Sequence, residues 1–311
     1  MSDFPASSRF RAVGALLVEQ PDLGTLVVRG RDRKTWLNGL LTCDVAPLAA
    51  SRGVWGLLLT KQGKIVSDVT LVEDGDAVYM STAPQRSAEL RELLERHLIM
   101  EDAELFDQTP ELAWVTLHGA DASSIAALAR AASVASGAVD WTGLGGAALV
   151  VERSRQAELV TELVRGGATA ASPTEWLALR IETGLPAYGV DFDERDNPHE
   201  ASLDRRAVSW TKGCYLGQEV VCMQDMRGKV KRRIVPLVVT GTPPAPGSSV
   251  LSLDGQSVGE VTSSAPVNRG ALALARVKTN FSDPEMRLEV SGQPAEVARL
   301  AAAIVPSADP S

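Results

Sequence analysis

Strand-like and helix-like spacings of apolar residues alternate along most of the chain. A β-rich run at 23–30 leads into a segment where apolar residues recur every three or four positions, which predicts a helix after Asp32. Two strand-like runs, 54–59 and 65–72, enclose a short turn and predict a hairpin. The same spacing rules predict further strands at 77–80, 114–117 and 147–151, and helices at 85–100, 121–133 and 156–165. Strands and helices mixed in this way predict an α+β fold.

The clearest helix start lies at Ser172-Pro173-Thr174-Glu175. A serine followed three positions later by glutamate forms a capping box, and proline is favoured at the first helical position. We therefore predict a helix that begins after Ser172 and stops at Gly184. Its last turn contains Glu182, where the helix dipole disfavours an anion unless Arg180 or a bound donor compensates.

The spacing of apolar residues changes after residue 231. Short β-rich runs at 234–239, 250–253, 271–277 and 287–290 are separated by Gly, Pro, Asp and Asn, which predicts a small all-β domain. The proline-rich segment 240–247 is expected to be a loop inside this domain. Residues 301–311 are expected to form a frayed tail.

Composition places the chain among ordinary globular proteins. Its 311 residues exceed one ordinary core and predict two or three domains. A net charge of −8 argues against a protein that wraps nucleic acid or lies on an anionic membrane. Three cysteines fit reduced thiols, and we find no signal peptide and no apolar run of about 18 residues. We expect a cytoplasmic protein.

One segment concentrates chemically active side chains. Cys214 follows Lys212 and lies between Gly213 and Gly217, so we expect a tight loop that holds the thiol at the start of a short helix. Free backbone N–H groups and the Lys212 ammonium would lower the pKa of Cys214 and favour its nucleophilic thiolate. A small buried filler is the alternative interpretation of a free cysteine.

The cysteines and histidines show no metal-ligand spacing. Cys214 and Cys222 are too far apart in sequence for a compact ligand pair, and the three histidines stand alone. The sequence predicts no stably bound metal.

The run K-G-C-Y-L-G-Q-E at 212–219 resembles the signature of the YgfZ family of folate-binding proteins. This family is a branch of the superfamily typified by the aminomethyltransferase (T-protein) of the glycine cleavage system. Two further stretches resemble the superfamily, R-G-R-D-R-K-T-W-L-N-G-L-L-T-C-D-V at 29–45 and L-T-K-Q-G-K-I-V-S-D at 59–68. A departure from the family follows the signature, since Met223 stands where an arginine is usual.

The resemblance implies two interwoven α+β domains round a central folate-sized cavity, plus a C-terminal β-barrel. The first domain would combine 1–47 with 112–172, and the second 48–111 with 173–231. The barrel would occupy 232–305, with 306–311 as a tail.

The resemblance also implies a tetrahydrofolate site. The run L-R-I-E-T-G-L-P-A-Y-G at 179–189 is similar to one in which a glutamate, here Glu182, pairs with the donor edge of the pterin. Two carboxylate oxygens suit two parallel N–H donors. Arg180 and Tyr188 of the same run would also bind the cofactor.

Asp68 matches an aspartate beside the reactive nitrogen of tetrahydrofolate, where a carboxylate stabilises a cationic intermediate or assists proton transfer. A strand-end cap is the alternative role for Asp68. Ser67 stands where the aminomethyltransferases tend to have a second carboxylate.

Five of the seven residues at 227–233 are basic. If this run is a strand, Lys229, Lys231 and Arg233 share one face. Arg227 and Arg233 are our candidates to hold the glutamate carboxylates of a folate tail. An acidic partner surface, or a solvated edge that resists aggregation, would account for the same charges.

Two functional hypotheses follow. In the first, the chain is a monomeric tetrahydrofolate-binding accessory protein that supports iron–sulfur cluster assembly or repair, with iron–sulfur client or assembly proteins as partners. Cys214 would be its reactive thiol, tuned by Lys212. In the second, it is a folate-dependent aminomethyl or one-carbon transferase that uses Asp68 and Glu182 and needs no thiol. A plain interaction module with an empty cavity is a third possibility.

Overall fold

Two five-stranded sheets and a closed barrel contain the described strands. The computed structural model describes residues 14–20, 23–83, 86–228 and 230–300. Its α-helices are α1 Arg33–Leu40, α2 Ser87–Glu95, α3 Ala122–Leu128, α4 Gln156–Arg165, α5 Pro173–Glu182 and α6 Gln218–Arg227. Its strands are β1 Leu16–Gln20, β2 Gly24–Arg29, β3 Val54–Leu59, β4 Ile65–Asp74, β5 Ala77–Thr82, β6 Glu104–Asp107, β7 Leu112–His118, β8 Ala135–Ala138, β9 Gly146–Glu152, β10 Thr169–Ala170, β11 Arg232–Val239, β12 Ser249–Leu251, β13 Ser257–Pro266, β14 Ala271–Lys278, β15 Arg287–Val290 and β16 Gln293–Val297.

The chain crosses between the two sheets, which confirms the interwoven α+β fold. The first sheet has the order β10-β1-β7-β9-β8 and the second has the order β3-β4-β5-β2-β6. Of the two strands before residue 47, only β1 belongs to the first sheet, because β2 pairs with β5 and β6 of the second. The predicted division at residue 47 is therefore wrong, since β2 belongs with residues 54–107.

Both sheets are buried on two faces, and alternation along a strand separates the faces. On β7, Trp114 points into the space between the sheets, whereas Val115 packs with α3 and α4 on the outer face. On β3, Leu57 points into the same space, whereas Leu58 packs with α1 on the other side. We call this space the inter-sheet core, and it contains the rings of Trp55, Tyr79, Trp114 and Trp141 among aliphatic side chains.

The C-terminal strands form a closed six-stranded barrel with the order β11-β14-β13-β12-β15-β16. Its interior is a separate apolar core that includes Leu237, Val250 and Leu288. The segment 240–247 connects β11 to β12, which confirms that it is a loop within this domain. Helix α5 packs against β13 and β14 and so joins the barrel to the sheets.

A buried ion pair secures that junction. Arg180 on α5 pairs with Asp191, and its Nη2 also donates to Ser263 Oγ at 3.0 Å. Asp191 in turn accepts from Thr262 Oγ1 and Ser263 Oγ, both at 2.6 Å, and from the backbone N–H of Ala187 at 2.8 Å. Arg180 therefore has a structural role, which is to hold α5 against the barrel.

Helix boundaries follow the predictions in part. The Ser172 capping box is present, with both reciprocal bonds, and α5 ends at Glu182 ahead of Gly184, whose φ is +63°. Helix α2 ends at Glu95, earlier than predicted, and the helix predicted at 121–133 stops at Leu128 before a short 3₁₀ turn. Residue 85 and the tail 301–311 lie outside the described residues. No helix of the described chain combines the length and the apolarity needed to cross a bilayer.

Candidate functional site

Asp68 lies on the face of β4 that lines the inter-sheet core. Trp55, on the paired strand β3, donates its Nε1–H to Asp68 Oδ2 at 3.4 Å. Burial raises the pKa of the carboxyl group, and the long bond from Trp55 offsets this only in part. A desolvated carboxyl group beside an aromatic ring is a candidate for a functional site.

A chain of polar and aromatic groups extends from Asp68 through the core. Thr70, next along the same face, accepts a hydrogen bond from Trp141 Nε1 at 3.2 Å. The ring of Trp141 lies 5.3 Å from that of His118, and His118 stacks on Trp176 at 4.5 Å. Flat rings with a few fixed polar groups suit a heteroaromatic ligand.

The structure brings Tyr188 towards Asp68. Arg86 Nη1 donates to the Tyr188 hydroxyl and, at 2.9 Å, to the backbone carbonyl of Val66, which is two residues before Asp68. The Arg86 guanidinium also lies 5.5 Å from the centre of the Tyr188 ring. The pKa of Tyr188 is raised by burial, with a smaller contribution from the charge of Asp68. Arg86 had no motif in the sequence to mark it.

Glu182 occupies the last position of α5, and its Oε2 atom is buried. Arg206 connects this helix end to the inter-sheet core, because it donates to the carbonyl of Thr183 and, at 3.4 Å, to that of Trp141. Burial lowers the pKa of Arg206 to about 10. The sequence did not identify Arg206, which stands in a loop without a recognisable motif.

Replacing Asp68 by asparagine is expected to stabilise the protein at neutral pH. Since burial raises the folded-state pKa of Asp68 above 3.8, the native state holds this proton more tightly than the unfolded state. The free energy of unfolding therefore falls as the pH rises from the unfolded-state pKa through the folded-state pKa. Asparagine has no proton to lose, so we expect a gain on the order of 1 kcal/mol at pH 7.

Urea unfolding between pH 4 and 8 would measure this gain, which should grow with pH and then level off. Asp74→Asn, at the exposed end of the same strand, is the control and should change stability little. An Asp68→Asn variant less stable than wild type at pH 7 would contradict the assignment.

The signature loop differs from its predicted geometry. Helix α6 begins at Gln218, so the prediction that Cys214 sits at a helix start is wrong. Lys212 Nζ donates to the carbonyls of Asn38, Leu41 and Cys43 at 2.5, 2.7 and 2.9 Å. The ammonium therefore neutralises the carbonyl end of α1. We call these three bonds the Lys212 clamp, because they hold the signature loop against the C-terminal end of α1.

Cys214 is exposed on a loop that is firmly held. Tyr215 beside it is buried, and the Lys212 ammonium lies 5.4 Å from its ring centre. Gly217 has a φ of +82°, and a Cβ there would approach the carbonyl oxygen of Thr60 to 2.5 Å, so only glycine fits. Cys43, by contrast, is buried, and burial raises its pKa to about 12. Cys214 is thus accessible and Cys43 is inert.

The basic run does not form one strand. Arg227 ends α6, Gly228 is its left-handed C-cap, and β11 begins only at Arg232. Arg233 pairs with the buried Asp204 at 3.3 Å. Lys229 lies outside the described residues. Lys231 and Arg232 line a polar crevice of about 490 Å³ beside the barrel.

Among the described residues, one group could hold a metal ion. His199, Asp204 and Asp225 offer ligand atoms within 4.8 Å of one another. Both carboxylates already face arginines, because Arg205 lies 3.7 Å from Asp204 and 3.9 Å from Asp225. We interpret this cluster as a contact between α6 and the loop at 199–205, in which arginine balances the charge of the carboxylates.

A crevice of about 700 Å³ opens beside Val27, Tyr79 and Leu112 of the inter-sheet core. Its two arginines are already occupied, since Arg29 pairs with Asp76 at 2.9 Å and Arg153 donates to the carbonyls of Thr109 and Leu112. Asp68 and Glu182 do not line it. We therefore take Asp68, and not this crevice, as the candidate site.

Two family models match parts of the chain. Residues 10–153 match the GCVT N-terminal domain, and residues 231–303 match the C-terminal beta-barrel domain of CAF17. The second match coincides with the closed barrel.

Curated relatives and a solved structure are also similar. An aminomethyltransferase of Herpetosiphon aurantiacus is 29% identical over 273 residues, which cover 81% of this chain and 75% of the relative. The tRNA-modifying protein YgfZ of Escherichia coli (strain K12) is 25% identical over 287 residues, 86% of this chain and 87% of the relative. The glycine cleavage system aminomethyltransferase T of Bartonella henselae has a similar fold, with a TM-score of 0.76 at 18% identity over 96% of this chain and 88% of that one.

Proposed function

We propose, from the premise that this chain is a homologue of the aminomethyltransferases and of YgfZ with the GcvT-like fold, that it binds tetrahydrofolate and supports iron–sulfur enzymes. The observation that carries the folate proposal is Asp68, a desolvated carboxyl group that accepts from Trp55 on the aromatic face of the inter-sheet core.

The residues present fit a reduced pterin. Trp55, Trp141 and Trp176 supply flat apolar surface, while Asp68 and Thr70 supply oxygen atoms between them. A cationic nitrogen near Asp68 would favour the ionised carboxylate, because an opposite charge offsets the cost of its desolvation. When bound, tetrahydrofolate would supply a nitrogen that carries a one-carbon unit, and Asp68 would hold or move a proton beside it.

The thiol loop supports the accessory role. Cys214 is exposed, and the Lys212 clamp and Gly217 fix the loop that presents it. A surface thiolate on this loop can ligate the iron of a partner's cluster, or attack a partner's disulfide and release one of its sulfurs as a thiolate, without any rearrangement of the core. The printed name of the E. coli relative concerns tRNA modification. Since this chain has a net charge of −8, support of an enzyme that acts on tRNA fits it better than direct RNA binding.

Replacing Glu182 by glutamine is expected to raise the dissociation constant for tetrahydrofolate by about 10- to 100-fold. The reason is that Gln has one acceptor oxygen and no charge, so it cannot accept two parallel charge-assisted bonds from an aminopyrimidine. Calorimetric titration of the purified protein with tetrahydrofolate would measure the change.

Glu158→Gln is the matched control, because Glu158 is an exposed glutamate on α4 and its replacement should leave the affinity unchanged. Equal affinity of Glu182→Gln and wild type would remove the pterin contact. A wild-type protein that binds no tetrahydrofolate would remove the folate proposal itself.

Aminomethyl or one-carbon transfer is the second candidate function. The carboxyl group of Asp68, whose pKa desolvation raises, favours it, because such a group can exchange a proton with a folate nitrogen. Release of ammonia from an aminomethyl donor, dependent on added tetrahydrofolate and lost in Asp68→Asn, would support transfer. Intact folate binding with no turnover would exclude it.

A further inference from the structure

The turn between α2 and β6 carries the two most exposed large apolar side chains of the described chain. Ile99 is 85% exposed and Met100 is 92% exposed. The residues on either side point inwards, since Leu98 packs against the core beneath α1 and Ala103 is buried. We call Ile99 and Met100 the apolar tip. Single exposed apolar residues are normal on a protein surface, but adjacent ones favour an interaction site.

Hydrogen bonds hold the apolar tip in place. Glu101 Oε2 accepts from the backbone N–H groups of Ile99 and Met100 at 2.9 and 3.1 Å. Asp32, the residue before α1, accepts through Oδ2 from the N–H of Asp102 at 2.8 Å and donates its own N–H to the carbonyl of Asp102 at 3.0 Å. Because the turn is already ordered, binding through it costs little conformational entropy.

A crevice of about 320 Å³ lies beside the apolar tip and follows one face of α1. Asp32 and Glu101 line it, together with Trp36, Gly39 and Leu40 at helical spacing. A Cβ on Gly39 would meet no atom of the described residues within 4 Å. Packing inside this part of the chain therefore does not require the glycine, which leaves the helix backbone open to close approach by another molecule.

Two carboxylates give this crevice a negative charge. Asp32 and Glu101 form no ion pair within the described residues, and the neighbouring cation Arg31 is already paired with Asp102 at 3.0 Å. An aromatic ring beside two carboxylates, here that of Trp36, suits the side chain of a lysine or arginine. The crevice thus favours a cation next to the apolar group that covers the tip.

Helix α1 connects this surface to the thiol loop. Asp32 precedes the helix at the apolar tip, and the Lys212 clamp bonds to the carbonyls of Asn38 and Leu41 at the other end. Eight residues of α-helix span about 12 Å. One side of an ordinary protein interface, about 800 Å², is wide enough to extend over both the apolar tip and the loop of Cys214.

We propose that the apolar tip and the crevice along α1 form the docking surface for the protein that Cys214 serves. This inference rests on the proposed accessory function and identifies where its client binds. The client presents an apolar depression that receives Ile99 and Met100, beside a lysine or arginine that enters the crevice between Asp32 and Glu101. Charge complementarity selects a protein with a basic rim and disfavours a second copy of this chain, whose net charge is −8.

The test is the activity of a cluster-dependent enzyme in a strain lacking this gene, complemented with the whole chain or its variants. Ile99→Ser/Met100→Ser should restore at least about five-fold less activity than wild type, because it removes the apolar contacts. Gly39→Lys fills the crevice with a cation and should lower the activity similarly, whereas Gly39→Ala should keep it. Leu128→Ser/Leu253→Ser, at exposed positions on α3 and in the barrel domain, is the matched control and should restore the wild-type level.

Stability separates docking from a structural role. Ile99 and Met100 bury little surface, and lysine and alanine have a higher helix propensity than glycine. Urea unfolding should therefore return the wild-type midpoint for Ile99→Ser/Met100→Ser and an equal or higher midpoint for both Gly39 variants. A lower midpoint would show that these positions support the fold, and it would overturn the inference.

The remaining outcomes separate this inference from the proposed function. Full activity with either Ile99→Ser/Met100→Ser or Gly39→Lys would overturn the docking surface, and so would an equal loss in the matched control. A wild-type dimer in sedimentation that Ile99→Ser/Met100→Ser converts to monomer would assign the surface to a second copy and overturn it as well. If Cys214→Ala loses activity while the surface variants keep it, only the docking inference fails. If wild type restores no activity, the accessory function fails, and the inference fails with it.

Discussion

Replacing Asp191 by alanine is expected to lower the free energy of unfolding by about 3–5 kcal/mol, because it leaves the buried charge of Arg180 without its partner. The Asp191 side chain is 0% exposed and that of Arg180 is 8% exposed. The change also removes the acceptor for the hydroxyl groups of Thr262 and Ser263 on the barrel strand β13. Chemical denaturation followed by tryptophan fluorescence would measure the loss.

Two variants test whether burial, and not charge pairing as such, produces this effect. Asp193 forms an ion pair with Arg195, whose side chain is 84% exposed, and Asp193→Ala should cost no more than about 1 kcal/mol. The double variant Arg180→Met with Asp191→Ala should be less destabilised than Asp191→Ala alone, because no unpaired charge remains. Similar losses for Asp191→Ala and Asp193→Ala would refute the argument.

The sequence predicted helices and strands correctly where the deciding contacts join residues that are close in sequence. The capping box at Ser172 and Glu175 needs only a serine, a proline and a glutamate at fixed spacing, and it is present. The hairpin of β3 and β4 and the change to short strands after residue 231 are likewise confirmed. The division between the two sheets was misplaced, because the pairing of β2 with β5 joins residues that are distant in sequence.

The candidate site shows the same limit more sharply. Because Lys212 is two residues from Cys214, the sequence predicted that its ammonium lowers the pKa of that thiol. In the structure the ammonium bonds to the carbonyl of Asn38, 174 positions away. Arg86 and Tyr188 are separated by 102 positions, and no spacing rule relates them. Resemblance to a family suggested Asp68 and Glu182 as candidates, whereas the aromatic surroundings of Asp68 become visible only in the fold. Local sequence therefore predicts which helices and strands form, and three-dimensional contacts decide which side chains meet.

The thiol loop and the inter-sheet core make separable predictions, because different segments build them. The proposed folate site uses groups within the core, such as Asp68 on β4. Cys214 lies in the exposed loop before α6, which rests on the turn between β3 and β4 through Gly217 and Thr60. Loss of the thiol should therefore leave both the fold and folate affinity intact.

Replacing Cys214 by alanine is expected to abolish the proposed support of iron–sulfur enzymes in cells while changing the free energy of unfolding by no more than about 0.5 kcal/mol. The thiolate is the form that attacks a disulfide or ligates a metal, and alanine offers neither reaction. The measurement is the activity of a cluster-dependent enzyme in a strain lacking this gene, complemented with each variant. Cys214→Ala should match the empty vector.

Cys222→Ala is the matched control, because Cys222 is a second free thiol on the adjoining helix α6 and is less exposed than Cys214. It should restore the cluster-dependent enzyme to the wild-type level. Calorimetry on purified Cys214→Ala should return the wild-type affinity for tetrahydrofolate, since the substitution leaves Asp68, Trp141 and Glu182 unchanged. Full restoration of enzyme activity by Cys214→Ala would show that the thiol is dispensable, and the accessory role would then have to rest on the folate site alone.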